Sequence, residues 1–252
     1  MDLGLAGKAF LLTGASRGLG FATARCLVAD GANVVLSARD EQRLAAAVAD
    51  LGKAQAHGVP ADLGEETTAD RLVGAALDHF GRLDGALISV GGPPRGTATQ
   101  VTDEQWRESF ETVFLGAVRL ARRVAEALTN GGAIGFVLSS SAWMPIVGLG
   151  LSNGLRPGLL GVAKDMADEL APRGIRVVSL LPHRILTDRN RELFAATGDA
   201  AKAQSEAEAS IPLGRLGQPE EFGRVAAFLL SPAASYLTGL AVPVDGGAMR
   251  AY

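Results

Sequence analysis

The residues of this chain that are best arranged for chemistry lie in the segment TGASRGLG at 13–20, which follows an apolar run and precedes a helical pattern. Glycines at this point let backbone N–H groups approach a pyrophosphate, and the dipole of the following helix favours its negative charge. Glycines also occur in ordinary tight turns, but the strand before and the helix after favour a dinucleotide site. The residues expected to hold the phosphates are Gly14, Ser16, Arg17, Gly18, Leu19 and Gly20.

The end of the second apolar run indicates which nucleotide this site would select. NAD-selective sites usually have an acidic residue there to bind the ribose hydroxyls, whereas this chain has Arg39, followed by Asp40. Arg39 could stack on an adenine and pair with a 2′-phosphate, and Arg17 could supply a second cation. Each arginine alone is as easily a solvated surface residue, but the two together favour NADP(H).

Apolar runs alternate with helical patterns along the chain, and these elements would position the glycine segment. Strands are predicted at Lys8–Thr13, Asn33–Ser37, Ala54–Val59, Gly85–Val90, Ala133–Ser139, Arg176–Leu181 and Leu240–Val244. Helices are predicted at Gly18–Asp30, Glu41–Leu51, Glu65–Phe80, Asp103–Leu128, Pro157–Leu170 and Glu220–Leu230. Continuous apolar strands are typical of parallel sheets buried on both faces. The sequence therefore predicts an α/β, Rossmann-type, doubly wound parallel sheet of about seven strands, forming one domain over residues 1–252.

Composition limits the classes of partner. Hydrophobic residues make up 48% of the chain, and its formal net charge is −3 without a basic run, which argues against nucleic-acid binding. No run approaches the ~20 apolar residues of a membrane span, and the first residues lack a secretory pattern. Cys26 is the only cysteine, and no cluster of histidines suggests a metal site. We expect a cytoplasmic protein with no membrane partner.

Several segments together resemble the short-chain dehydrogenase/reductase family, most of all its 3-oxoacyl-acyl-carrier-protein reductase branch. Besides TGASRGLG, they are Ala61-Asp62-Leu63, ELAPRGIRV at 169–177, PLGRLGQPEEF at 212–222 and SYLTGLAVPVDGG at 235–247. The resemblance spans residues 5–247 and implies a nicotinamide-dependent oxidoreductase, for which Arg17 and Arg39 favour NADP(H), and members of this family commonly form a homotetramer or homodimer. It places Asp62 near the adenine and implies further cofactor contacts from Leu63, Gly91, Arg156, Pro182 and Thr187.

The resemblance also identifies a catalytic site in which this chain departs from the family. Members use a tyrosine to protonate a carbonyl, a lysine four residues later to lower the pKa of that tyrosine, and an earlier serine to position the carbonyl. Ser140 matches the serine, with Ser139 as the alternative, but Ser152 stands at the tyrosine position and Arg156 at the lysine position. Two further replacements are Val113 for a supporting asparagine and His183 for the glycine of a Pro-Gly pair.

These replacements change the acid–base chemistry. A serine hydroxyl is a far weaker acid than a tyrosine, and arginine is a permanent cation that cannot relay protons. Loss of the tyrosine should forfeit much of the ~10²–10⁴-fold that positioned proton transfer supplies. Arg156 could still bind ribose or polarise a carbonyl, and His183 can titrate near neutrality, although a lone histidine is more often structural. Of the two tyrosines, Tyr236 lies in a segment that the family uses structurally and Tyr252 is terminal.

Pro157 predicts a local break in structure. Proline cannot donate a hydrogen bond to Asn153 and disfavours helical geometry at Arg156. We therefore predict that the regular helix begins or kinks near Pro157, which would displace Ser152 and Arg156 from the family's geometry.

Three functions are compatible with these residues. The first is an atypical NADPH-dependent reduction of a carbonyl on a hydrophobic small-molecule substrate, with Ser140, Ser152, Arg156 and His183 in the catalytic site. The others are a non-redox cyclase, isomerase or dehydratase, and a catalytically silent NADP-binding partner subunit. The alanine-rich segment 188–210 would be a surface helix pair or a substrate lid.

Overall fold

The computed structural model describes residues 2–250 and contains one parallel sheet of seven strands. The strands are β1 (Ala9–Thr13), β2 (Asn33–Ala38), β3 (Ala56–Pro60), β4 (Gly85–Ser89), β5 (Gly132–Val137), β6 (Ile175–Pro182) and β7 (Leu240–Val244). Their spatial order is β3-β2-β1-β4-β5-β6-β7. The predicted fold class and all seven predicted strands are confirmed, with boundaries that differ by up to two residues. Tyr252 lies outside the described residues.

Nine α-helices in the described part of the chain cover the sheet and its carboxyl edge. They are α1 (Gly18–Ala29), α2 (Glu41–Leu51), α3 (Thr68–Phe80), α4 (Asp103–Ser109), α5 (Gly116–Ala127), α6 (Gly150–Leu170), α7 (Asp188–Ala195), α8 (Ala200–Ala209) and α9 (Pro219–Leu230). The apolar faces of α3, α5 and α6 pack on one side of the sheet, and those of α1, α2 and α9 pack on the other. Within residues 2–250, no helix combines the length and hydropathy needed to cross a membrane.

The order of the strands creates the crevice in which ligands bind in folds of this kind. The chain leaves β1 toward β2 on one side and reaches β4 on the other, so loops diverge at the carboxyl ends of β1 and β4. Thr13 and Ser89 join these two ends: the Thr13 hydroxyl donates to the Ser89 carbonyl at 2.9 Å and accepts from the Ser89 N–H at 2.9 Å.

The helix predicted at Asp103–Leu128 is interrupted by a π-helical turn at Phe110–Leu115. Such turns insert one residue and often occur at functional sites. Here the turn buries Val113 beside the crevice and brings Gly116 against the backbone carbonyl of Leu63, where a side chain would not fit.

The prediction of a break at Pro157 is wrong, because α6 runs without interruption from Gly150 to Leu170. Leu151, Leu155 and Leu159 recur on one buried face on both sides of the proline, so tertiary packing outweighs the local propensity. The start of the helix is also anchored, since the Asn153 amide bonds both the N–H and the carbonyl of Ile146 at 2.9 Å. Ser152 and Arg156 therefore lie one turn apart on a continuous helix.

The continuity of α6 gives a stability prediction. Pro157→Ala should raise the free energy of unfolding by about 1–2 kcal/mol, because alanine restores a helical donor at an exposed position, partly offset by a more disordered unfolded chain. Gly161→Ala is the matched control: a methyl group there meets nothing within 4 Å, so we expect a gain of about 0.5–1 kcal/mol. Denaturant unfolding of both variants measures this. A loss of stability in Pro157→Ala alone would mean that the proline ring itself supports the helix.

Candidate functional site

The glycine segment forms the wall of a groove of about 860 Å³ at the crevice. Gly18 has φ +60°, which favours glycine, and a Cβ on Gly20 would lie 2.7 Å from the Gly14 carbonyl oxygen. Among the described residues, no side chain caps the first turn of α1, so its N–H groups remain available to an anion. The backbone would therefore allow a pyrophosphate to approach closely and would present N–H donors to it.

The arginines at this groove have different partners. The guanidinium of Arg39 is exposed and lies 3.9 Å from the carboxylate of Asp62, whereas that of Arg17 lies 3.0 Å from Glu192 in α7. Arg43, in the first turn of α2, also lines the groove and was not predicted from the sequence. Its position three residues after Asp40 could have indicated this placement, because the Asp40 carboxylate lies 3.2 Å from the Arg43 guanidinium.

Most of the predicted cofactor contacts line this one groove. They are Gly14, Ser16, Arg17, Gly18, Leu19, Gly20, Arg39, Asp62, Leu63, Gly91 and Thr187. Arg156 and Pro182 line the adjoining cavity instead.

That cavity, of about 680 Å³, opens beside the carboxyl ends of β4, β5 and β6 and shares several lining residues with the groove. The shared residues are Leu19, Ser89, Val90, Gly92, Pro93, Arg95, Thr187 and Arg189. Predicted catalytic residues Ser140, Ser152, Arg156 and His183 all line the cavity. Ligands in the groove and in the cavity would therefore be in contact.

Ser140 and His183 form a hydrogen-bonded pair inside the cavity. The Ser140 Oγ lies 2.8 Å from His183 Nδ1, and either could donate depending on the tautomer. Burial lowers the pKa of His183, the nearby Arg184 lowers it further, and Asp245 opposes both effects. The imidazole is therefore neutral near pH 7 and can both accept and donate a proton.

The hydroxyl at the tyrosine position is engaged elsewhere. Ser152 lies 2.8 Å from the Ser141 Oγ, and both serines are buried. Ser139 is partly exposed at the cavity, and its Oγ accepts the Ser141 N–H at 3.1 Å. Ser141 was not singled out from the sequence, because only the fold places it opposite Ser152.

Arg156 brings a buried cation to the floor of the cavity. Its side chain donates to the Val137 carbonyl at 2.9 Å and to the Gly91 carbonyl at 3.4 Å. Desolvation lowers the pKa of Arg156 to about 10, and the charge of Arg189 contributes. The group still carries its charge at neutral pH, so it can orient an electron-rich oxygen but cannot exchange protons.

The segment 188–210 forms α7 and α8 over the cavity. Phe194 and Ala207 pack in a small cluster with Ile211 and Leu216, separate from the two main cores, and the first two also line the cavity. A helix pair with its own small core fits the predicted lid, which stays a prediction.

The other histidines lie away from this cavity. His57 in β3 and His79 in α3 stack with ring centroids 4.4 Å apart. Within residues 2–250, no three histidine, cysteine or acidic side chains converge to hold a metal ion.

Comparison with known proteins identifies the family. Residues 14–249 match the model of a family described as enoyl-(acyl carrier protein) reductase. Dehydrogenase/reductase SDR family member 4 of Homo sapiens is 36% identical over 249 residues, which cover 96% of this chain and 88% of that protein. The chain belongs to the short-chain dehydrogenase/reductase family of oxidoreductases, as its motifs predicted.

Solved structures share the whole architecture. L-Sorbose reductase from Gluconobacter frateurii, complexed with NADPH and L-sorbose, superposes with a TM-score of 0.96 at 30% identity, covering 100% of both chains. A 3-ketoacyl-(acyl-carrier-protein) reductase from Brucella melitensis, complexed with NADH, has a TM-score of 0.88 at 32% identity, covering 97% of this chain and 99% of that one.

Two partly buried histidines predict a pH dependence of stability. Burial lowers the pKa of His57 and of His183 below the ordinary value of 6.5, and His79 adds to the effect at His57. Below pH 6.5 the unfolded chain therefore binds more protons than the folded protein. The contribution of these histidines to the free energy of unfolding is fully present above pH 6.5 and is lost as the pH falls below that value. Urea unfolding between about pH 5.5 and 8 should show that the free energy of unfolding decreases as the pH falls. This slope should be smaller in His57→Gln. As a control, Gly161→Ala should raise the free energy of unfolding at every pH without changing its dependence on pH. An unchanged slope in His57→Gln would contradict the assignment of the pH dependence to this histidine.

Proposed function

We propose that this protein is an NADP(H)-dependent oxidoreductase that reduces a carbonyl group, with Ser140 and His183 replacing the tyrosine as the proton source. One observation carries the proposal: the cavity that holds the Ser140–His183 pair opens directly into the glycine-lined groove. A carbonyl compound in the cavity would therefore meet the nicotinamide end of a dinucleotide. The substrate would have an apolar part, because Ile146, Leu149 and Phe194 line the cavity.

The charge of the groove supports NADP(H) over NAD(H). Arg39 and Arg43 flank the end of β2, where an NAD-selective site would have an acidic residue. Of the two related reductases, one was crystallised with NADPH and the other with NADH. The side chains that line this groove, and not the fold, would therefore determine which nucleotide this protein binds. A 2′-phosphate would replace the loose contact between Arg39 and Asp62.

Bound NADPH would supply the hydride that the carbonyl carbon accepts. The carbonyl oxygen must accept a proton at the same time, and the products are an alcohol and NADP⁺. Ser140 Oγ would donate that proton to the oxygen. His183 Nδ1–H would then restore the serine hydroxyl while Nε2 takes a proton from solvent. Among the described residues Nε2 has no hydrogen-bond partner, which leaves it free for this exchange.

Arg156 and Ser152 would have supporting roles. The buried guanidinium on the cavity floor would stabilise negative charge as it develops on the carbonyl oxygen. Ser152 would hold Ser141, and through it the turn at Ser140–Ala142, in position. The proposal includes a homodimer or homotetramer, for which exposed apolar residues such as Phe110 provide surface.

Calorimetric titration with NADPH and NADH tests the cofactor assignment. The wild type should bind NADPH at least tenfold more tightly than NADH, equivalent to about 1.4 kcal/mol. Arg39→Asp should remove this preference by weakening NADPH binding while leaving NADH binding nearly unchanged, because only NADPH has the 2′-phosphate. Arg122→Gln, an exposed arginine of α5, is the control. Equal losses for both nucleotides in Arg39→Asp would remove that residue from the assignment.

Substitution of the hydrogen-bonded pair tests the proton source. Ser140→Ala and His183→Asn should each lower the rate of NADPH oxidation with a ketone by about 10²–10³-fold, with nucleotide affinity retained. The double variant should be no slower than the worse single variant, because the two residues act in one relay. His79→Gln controls for loss of a histidine. If Ser139→Ala loses activity and Ser140→Ala does not, the role belongs to Ser139.

A non-redox acid–base enzyme is the second candidate, favoured by the same pair, because Ser140 and His183 could move protons without a nicotinamide. Conversion of substrate without any change in nicotinamide absorbance would favour it. Tight NADPH binding without turnover would favour a silent partner subunit.

A further inference from the structure

The charges around the cavity are strongly unbalanced. Arg156 lies on its floor, Arg95, Arg184 and Arg189 lie exposed at its mouth, and Glu206 is the acidic residue among those that line it. The chain as a whole has a net charge of −3, so this concentration of guanidinium groups is local to the cavity.

These arginines are not neutralised by the protein. Within residues 2–250, Arg95, Arg156, Arg184 and Arg189 have no carboxylate within 4.0 Å, whereas half of the arginines in this part of the chain form ion pairs. Arg189 donates only a long hydrogen bond, of 3.4 Å, to the Gly92 carbonyl.

Of these four arginines, Arg156 is the most deeply buried. It is 4% exposed, its Nη1 and Nη2 each bond a backbone carbonyl, and its Nε is buried without a hydrogen-bond partner in the described part of the chain. A buried cation without a counter-ion and with an unsatisfied donor is costly, and buried polar groups in native proteins are nearly always paired. Because a guanidinium has five N–H donors and only two hydrogen bonds to the protein are formed, this group retains donors for a ligand that enters the cavity.

The backbone at Arg184 also bears on the site. This residue has φ +52°, the one positive value among the described non-glycine residues. Strained backbone of this kind persists where the surrounding structure requires it and is concentrated at ligand sites. Arg184 directly follows His183 in the chain, and its charge contributes to lowering the pKa of that imidazole.

We propose that the substrate of this cavity is an oxo acid, a carbonyl compound with a carboxylate and an apolar remainder. This inference rests on the proposed function for the carbonyl and on the four arginines for the carboxylate. A planar carboxylate matches the geometry of a guanidinium and could accept from the unengaged donors of Arg156, which lines the cavity. A monoanion suits this partly apolar cavity better than a phosphate dianion, which costs more to desolvate.

Two matched pairs of ligands test the inference with NADP⁺ present. Phenylglyoxylate and its methyl ester share the carbonyl and the ring but differ in charge. Calorimetry should show binding of the acid at least tenfold tighter than that of the ester. Dihydroxyacetone phosphate and dihydroxyacetone form the second pair, for which we expect a smaller difference. Because NADP⁺ allows no reduction, this readout does not depend on turnover.

Two substitutions assign the selectivity to residues. Arg189→Gln should weaken binding of the acid by about three- to tenfold and leave that of the ester unchanged. Arg156→Gln should abolish the preference, and the melting temperature of the ligand-free protein should not fall, because an uncompensated charge is removed. Arg122→Gln, which is exposed on α5, should change neither ligand's affinity.

The outcomes separate this inference from the proposed function. Reduction of both phenylglyoxylate compounds with equal affinity would overturn the oxo-acid assignment and leave the reductase standing. Preferential binding of the acid without any NADPH oxidation would support the anion site and count against the reductase. A preference confined to the phosphate pair would overturn the choice of a carboxylate. A loss of NADPH affinity in Arg156→Gln with acid preference retained would assign the guanidinium of Arg156 to the cofactor and overturn its role in the anion site.

Discussion

The reciprocal hydrogen bonds between Thr13 and Ser89 join the carboxyl ends of the strands from which the chain diverges. They hold β1 and β4 together at the bottom of the crevice. A Cβ on Gly14 would lie 3.0 Å from the Ser89 carbonyl oxygen, so the glycine turn must begin in close contact with this junction. The groove begins on one side of the junction and the cavity on the other, and Ser89 lines both.

The architecture was predictable because its signals are local and repeated. The central strands are largely apolar runs, and the glycine turn follows the first strand directly. Pro157 misled the prediction for the opposite reason: its local preference is strong, but the buried leucines on both sides of it decide the outcome. Helix propensity is a weak guide where tertiary contacts are numerous.

Pairings between distant residues could not be predicted from the residues alone. Ser140 and His183 are 43 positions apart, and their hydrogen bond depends on β5 and β6 ending side by side. The resemblance to the family pointed to both residues but contained no pattern in which a histidine bonds that serine. The ion pair of Arg17 with Glu192 is likewise visible only once α7 lies over the groove.

That ion pair has a consequence for the order in which ligands would enter. Arg17 is both an expected phosphate contact and the attachment point of α7, so one guanidinium serves two competing anions. An exposed pair of this kind contributes at most about 1 kcal/mol, so a pyrophosphate that recruits Arg17 would release Glu192 at small cost. Occupancy of the groove and the position of α7 would then be thermodynamically linked, and the linkage is reciprocal. A nucleotide that loosens α7 would admit the second ligand more readily, and a second ligand that favours the released α7 would retain the nucleotide.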